Sequence, residues 1–282
     1  MTIHSKTKKK IEIIKNAFEI EGRLTMRRIY YILLSHGRIK PSDDAYRDLC
    51  SQAVKWREEG YVEPEMIIDR HRVMVKRPTY RDFDEAFETL CDYYARDSML
   101  NQNKYVEVWI EKDTMINKFE EDCYFSDVPL IVSKGFTSYT FKYEAVERFK
   151  EHQQKSIVVL YFGDLDAEGE YIPHLIKQFI NEKLPGISFE LKKILLTGED
   201  KKSLGSFAIE YNPGSMQLKK AYVQDFICKY GKIKIEVEAL SFALIKERFL
   251  TALWNEIDIE IINATEKSNK NDVKEWLENH YQ

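Results

Sequence analysis

The sequence, 282 residues long, has little of what marks the specialised classes of protein. Four cysteines, Cys50, Cys91, Cys123 and Cys228, lie far apart with no C-x-x-C pair. That spacing offers no even, tight framework of the kind seen in small secreted domains. They read as free thiols in a reducing compartment. Long apolar runs are missing too: no window approaches the ~18 apolar residues of a membrane-spanning helix, and the opening MTIHSKTKKK is charged without an apolar core. The expectation is a soluble, cytoplasmic chain with no membrane contact. Nor does one sign of charge dominate, since 43 Lys plus Arg face 47 Asp plus Glu. A nucleic-acid surface must then come from local patches. There is no Walker A loop, no internal repeat and no low-complexity tract beyond the basic run Lys6, Lys8, Lys9 and Lys10. His36, His71, His152 and His174 show no metal-ligand spacing.

What is present is enough apolar material, 44% of residues, to fill the cores of one large or two ordinary domains. The first 98 residues read as mostly helical. KKIEIIKNAFEIEG carries a helical apolar stripe and stops at Gly22, and Thr25 is placed to cap TMRRIYYILLSHG, which stops at Gly37. A third helix, DDAYRDLCSQAVKWREEG, opens behind Pro41-Ser42 and presents Tyr46, Leu49, Cys50, Ala53 and Trp56 on one face. Short extended pieces in YVEPEMIIDRHRVMVKR follow, which is the order of a winged helix-turn-helix. One more amphipathic helix, DEAFETLCDYYARD, leads to a polar linker at Ser98 to Lys104. The expected division is 1-98 and 99-282.

Beyond that linker the period changes. YVEVWIE, PLIVS and SIVVLYF read as strands, and EYIPHLIKQFINEK as a helix after the third, which predicts an α/β layer with a mainly parallel sheet. In such sheets ligands bind beyond the carboxyl ends of the strands. Glu111 closes the first strand, and Asp164, Asp166 and Glu168 follow the third. Oxygen donors from two strand ends suit a hard cation such as Mg2+, which keeps several waters. Turn chemistry and helix capping are the alternative use of a D-x-D. Gly163 allows a sharp turn beside the strand, and Gly169 leaves room for a ligand near the helix start.

IEKD, SKGF and YFGDLDAEGEYI together resemble the glutamate motif, middle strand and D-x-D motif of a Toprim domain, the Rossmann-like catalytic module of topoisomerases, primases and some nucleases. Among Toprim proteins the pattern is most similar to the topoisomerase VI A subunit and its relative, the meiotic double-strand-break protein, while DLDAEGE is also similar to a motif of type IA topoisomerases. Upstream, LTMRRIYYILL resembles the T-x-R-x-I-Y-Y motif of that family, with Arg27 in the arginine place and Tyr31 in the place of the nucleophile. IEVEAL near Glu238 is similar to a late E-A-L segment. The arginine expected soon after K-G-F is missing, with Ser138, Tyr139 and Phe141 around its place, and the chain is short for an A subunit. A compact, free-standing relative is implied.

Helical geometry agrees with a division between the tyrosines. Met26, Ile29, Tyr30 and Leu33 form the inward stripe, and Tyr31 lies about 100° round from Tyr30, with Arg27 one turn below it. The resemblance implies a Mg2+-dependent, type IIB topoisomerase-like cleavage of double-stranded DNA, classed with the isomerases. Tyr31 attacks a phosphate, Arg27 assists, and Glu111, Asp164 and Asp166, with Glu168 as the third acid of the D-x-D segment, hold the metal. It implies a homodimer in which tyrosine and metal site come from different subunits, and a separate ATPase subunit for any strand passage. Arg28, Arg47, Lys55, Arg57 and Arg70 are placed to line the DNA channel. The alternatives are a Toprim nuclease using activated water, with Glu111 or Glu168 handling protons, and a non-catalytic DNA-binding relative.

Overall fold

The computed structural model describes residues 5–67, 77–135, 138–198, 200–203 and 205–280. Three helices come first: α1 (Ser5–Glu21), α2 (Met26–Ser35) and α3 (Asp43–Glu58). Thr25 caps α2 by accepting the Arg28 N–H, and Ser42 caps α3 by accepting the Ala45 N–H, so the sequence signals and the helix starts coincide. Of the expected wing, residues 68–76 lie outside the described residues. The part before them is a 3-10 turn at Pro64–Met66 and a single parallel bridge between Leu24 and Ile67. Helix α4 (Phe83–Tyr93) follows, capped by Asp82.

The second half alternates. Its elements are β1 (Lys104–Ile110), α5 (Glu120–Phe125), β2 (Leu130–Val132), α6 (Tyr139–Glu151), β3 (Ser156–Phe162), α7 (Ala167–Lys183) and β4 (Phe189–Lys193). All four strands are parallel, in the order β2-β1-β3-β4. Successive side chains point to opposite faces, and both faces are covered. Val106, Val108, Ile110, Val158, Leu160 and Phe162 belong to a core that extends through α1, α2 and α3, while Tyr105, Trp109, Ile157, Val159 and Tyr161 pack with α6 and α7. This is the near-continuous apolar strand pattern of a parallel sheet buried on both sides. One polar residue interrupts it: Glu107 is wholly buried, accepting from the Tyr105 hydroxyl at 3.0 Å, Trp109 Nε1 at 2.6 Å and Arg148 Nε at 2.8 Å.

The remaining chain adds α8 (Asp200–Ser203), β5 (Ile209–Glu210), α9 (Ala221–Tyr230), β6 (Ile233–Lys234), α10 (Phe242–Trp254) and α11 (Ile259–His280). β5 and β6 pair antiparallel. The segment after β6 runs back to the mouth of the main sheet, where Ile235 exchanges two backbone hydrogen bonds with Leu165 (2.9 and 3.0 Å). Among the described residues no helix is long and apolar enough to cross a membrane.

Candidate active site

The register of the sheet sets the site. Ile110 pairs with Phe162, so β1 and β3 end at the same level, and the Glu111 N–H donates to the Phe162 carbonyl at 3.0 Å. Glu111 Oε2 then accepts the Asp164 N–H at 3.0 Å, joining the two acidic loops. Gly163 makes this approach possible: a Cβ there would lie 2.5 Å from the Tyr161 ring and 2.9 Å from Glu111 Oε2. Asp166 caps α7 through Oδ1, which accepts the Gly169 N–H at 2.7 Å. Gly169 is constrained as well, since a Cβ would stand 2.3 Å from the Asp164 carbonyl oxygen.

Asp164 does not face an open mouth. Its Oδ1 accepts the Val237 N–H at 2.8 Å, and its Oδ2 lies 2.6 Å from Lys112 Nζ. Lys112 also reaches Glu238 at 3.0 Å and Glu236 at 3.5 Å, and Thr114 donates to the second Glu238 oxygen at 2.9 Å. Arg27 Nε meets Glu236 at 3.0 Å, and its guanidinium lies over the Tyr46 ring. Five carboxylates, Glu111, Asp164, Asp166, Glu236 and Glu238, thus stand in a centre with Lys112 and Arg27 among them, Lys234 3.6 Å from Glu236 and Lys193 donating to the Asp164 carbonyl. Burial pushes Asp164 up to about 8, with the Lys112 ammonium opposing and Glu111 and Glu238 reinforcing the rise. Burial raises Glu111 too; the Asp164 N–H opposes this and Asp166 adds to it. Burial alone would lower Lys112, but Asp164, Glu238 and Glu236 outweigh it and hold the ammonium above its ordinary value. Half-buried Glu168 is raised by burial and by Asp166, against the pull of Lys220 and Lys234.

Tyr31 turns into this centre from α2. Both tyrosines of the helix are buried, Tyr31 being 1% exposed, so the expected split between an inward Tyr30 and an outward Tyr31 does not hold. The reason is that α2 is covered on several sides: α1 and α3 take the Tyr30 side, while the 3-10 turns Gly205–Phe207 and Val237–Ala239 close over the other. Tyr31 packs edge-on to Tyr30 and Phe207, and its buried hydroxyl has no hydrogen-bond partner among the described residues. Burial, then Glu236, raise its ionisation above the ordinary tyrosine range, with Arg27 and Lys112 opposing. Tyr31, Arg27 and Lys112 therefore act on one another within a single chain.

The expected DNA-contact residues divide. Arg28 is a correction: it is buried, bidentate to Glu21, and donates to the carbonyls of Glu238 (3.3 Å) and Leu240 (2.9 Å). Its charge is spent inside the fold, because the N–H groups of a guanidinium satisfy carbonyls that the 236–240 turn leaves open. Arg47 and Lys55 are exposed, Arg47 pairing with Asp44, and half-buried Arg57 donates to the Ala53 carbonyl. Arg70 lies outside the described residues. The sequence pattern does not single out Lys112, Glu236 or Val237; the i, i+2 spacing in IEVEAL is the available signal for Glu236 beside Glu238.

Among the described residues no three His, Cys, Asp or Glu side chains converge as a metal cluster. Mg2+ nonetheless fits the donor chemistry. Glu111 Oε1 and Asp166 Oδ2 accept no hydrogen bond from the described residues, and one or two carboxylates plus waters and substrate phosphates suffice for that ion. Both Asp164 oxygens have partners, Oδ1 the Val237 N–H and Oδ2 the Lys112 ammonium. The sequence matches no protein-family model and no curated protein.

Proposed function

We propose that the chain is a Mg2+-dependent DNA-breaking protein of Toprim type, preceded by a winged-helix-like module, and that it forms a tyrosyl–DNA phosphodiester through Tyr31. The carrying observation is convergence: Tyr31 and Arg27, Glu111 and Lys112, Asp164 and Asp166, and Glu236 and Glu238 come from four distant segments to one centre. In the reaction the Tyr31 oxygen bonds to phosphorus and the P–O bond to the deoxyribose breaks. Glu236, whose Oε2 lies 3.0 Å from Arg27 Nε and which is the strongest charge acting on Tyr31, takes the phenolic proton. Arg27 turns from Glu236 to the phosphate. The leaving alkoxide takes a proton from solvent or Lys112. Bound Mg2+, held by Glu111 and Asp166, would supply charge stabilisation at the phosphate oxygens. Since Tyr31 is enclosed, α2 and the 237–239 turn must part when DNA enters, and a homodimer with a DNA channel is the assembly proposed for that step.

Hydrolysis by an activated water is the second reading. It is favoured by the enclosed Tyr31 hydroxyl, beside which Glu111 and Asp166 are the more open groups. One assay separates the two. Supercoiled DNA is incubated with the protein and Mg2+, denatured in detergent and examined for covalently attached protein. A linkage lost in Tyr31→Phe is the expected result. Cleavage that survives Tyr31→Phe and disappears in Asp166→Asn would replace the tyrosine by water.

A further inference from the structure

An exposed apolar face lies on α4, outside the acidic centre. Helix α4 buries none of its residues, although Phe83, Phe87, Leu90 and Cys91 line one of its faces. Phe83 is 77% exposed and Leu90 64%, and the helix touches the body chiefly through Phe87 on Trp276 of α11, ring centroids 5.1 Å apart. Between α4, α5 and α11 runs a groove of about 1240 Å³, and an adjoining apolar notch of about 370 Å³ shares Cys91, Tyr94 and Val273 with it. Exposed Tyr93, Tyr124 and Phe125 stand along its rim. A concentration of large apolar side chains on this scale marks an interaction site.

Charge says what kind of partner covers it. Asp84, Glu88 and Asp92 repeat at i, i+4, i+8 and make an acidic ridge beside the apolar stripe of α4, which contains no Lys or Arg. With Glu121 on α5 they are exposed, and none has a cationic partner among the described residues. The cations within the groove are already engaged: Lys246 by Asp122, Lys270 by Glu266, and Arg96 nearby by Asp272. An acidic ridge repels nucleic acid, anionic membrane and a second copy of the same ridge. It suits apolar anchors flanked by lysine or arginine. We infer that the α4–α11 groove docks a basic amphipathic helix of a partner protein, with its apolar face in the groove and its cations on Asp84, Glu88, Asp92 and Glu121.

The probes are a labelled amphipathic helical peptide of leucine and lysine and its counterpart of leucine and glutamate, titrated against the full chain by fluorescence anisotropy. The lysine peptide should bind more tightly by roughly ten-fold or more and weaken with added salt. It should also shift the emission of Trp276, since Trp56 and Trp109 are buried and Trp254 is partly so. The surface variant Asp84→Lys/Glu88→Lys/Asp92→Lys should reverse the preference, and Leu90→Ser should weaken both peptides. Equal binding of the two peptides, or a charge-reversed variant that behaves as the native chain, overturns the inference. So does sedimentation of a dimer that Leu90→Ser converts to monomer, which would give the groove to a second copy.

Discussion

Asp164 holds a carboxyl in one of the least hydrated places of the molecule, and the pH dependence of stability should report it. Its folded value, up to about 8 against an ordinary 3.8, means that the folded chain binds a proton that the unfolded chain has released. Stability is then greatest below about pH 4 for this group and is lost as pH rises toward 8, with the raised Glu111 adding in the same direction. The melting temperature of the native chain relative to that of Asp164→Asn, which keeps the acceptor for the Val237 N–H, should fall as pH rises from acid toward 8, the opposite contributions of Asp200 and Glu256, both held below the ordinary carboxylate range, cancelling in the comparison. A difference that stays level across that window would contradict the assignment. Glu111 and Asp164 were legible as strand-end acids because alternation fixes where β1 and β3 stop. The grip of Lys112 on Asp164 was not, because it depends on Glu236 and Glu238 arriving from a segment some seventy residues further on.

At the scale of elements, α7 begins on a residue asked to do two things. Asp166 caps the helix with one oxygen and leaves the other open. Capping and charge can be separated by substitution. Asp166→Ala removes both and should cost about 1 kcal/mol of stability, whereas Asp166→Asn keeps an acceptor for the Gly169 N–H and should leave the melting temperature near native. Under the proposed reaction both should lose Mg2+ binding, measured by calorimetry, so that asparagine alone separates a ligand from a cap. Mg2+ binding untouched in Asp166→Asn would return this carboxylate to turn chemistry. The starts of α2, α3 and α4 were readable to within a residue because Thr25, Ser42 and Asp82 are ordinary caps followed by periodic apolar residues, whereas α1 begins ahead of KKIEII and α4 stops at Tyr93, short of the end of DEAFETLCDYYARD. The face of Tyr31 was not readable from α2 alone: one helix supplies a stripe, but its neighbours decide how much of its circumference is covered.

Over the whole molecule, one guanidinium ties the two halves together. Arg28 leaves α2, pairs with Glu21 of α1 and reaches the carbonyls of Glu238 and Leu240. Arg28→Met would leave a mostly buried carboxylate and two carbonyls without their donor, at a cost of about 3–5 kcal/mol. The expected observation is a large fall in melting temperature with a single transition; an unchanged melting temperature with weakened DNA binding would restore Arg28 to the surface role suggested by sequence. The apolar residues agree with a single transition. One continuous cluster takes in Ile14, Leu33 and Trp56 from the first helices together with Val108, Leu160 and Phe249 from the second half. The linker at 98–104 therefore joins two stretches of chain that share an interior. Cutting the gene there would produce two fragments, each with one wet side of what had been a common core, and neither is expected to stay in solution until the other is supplied alongside it.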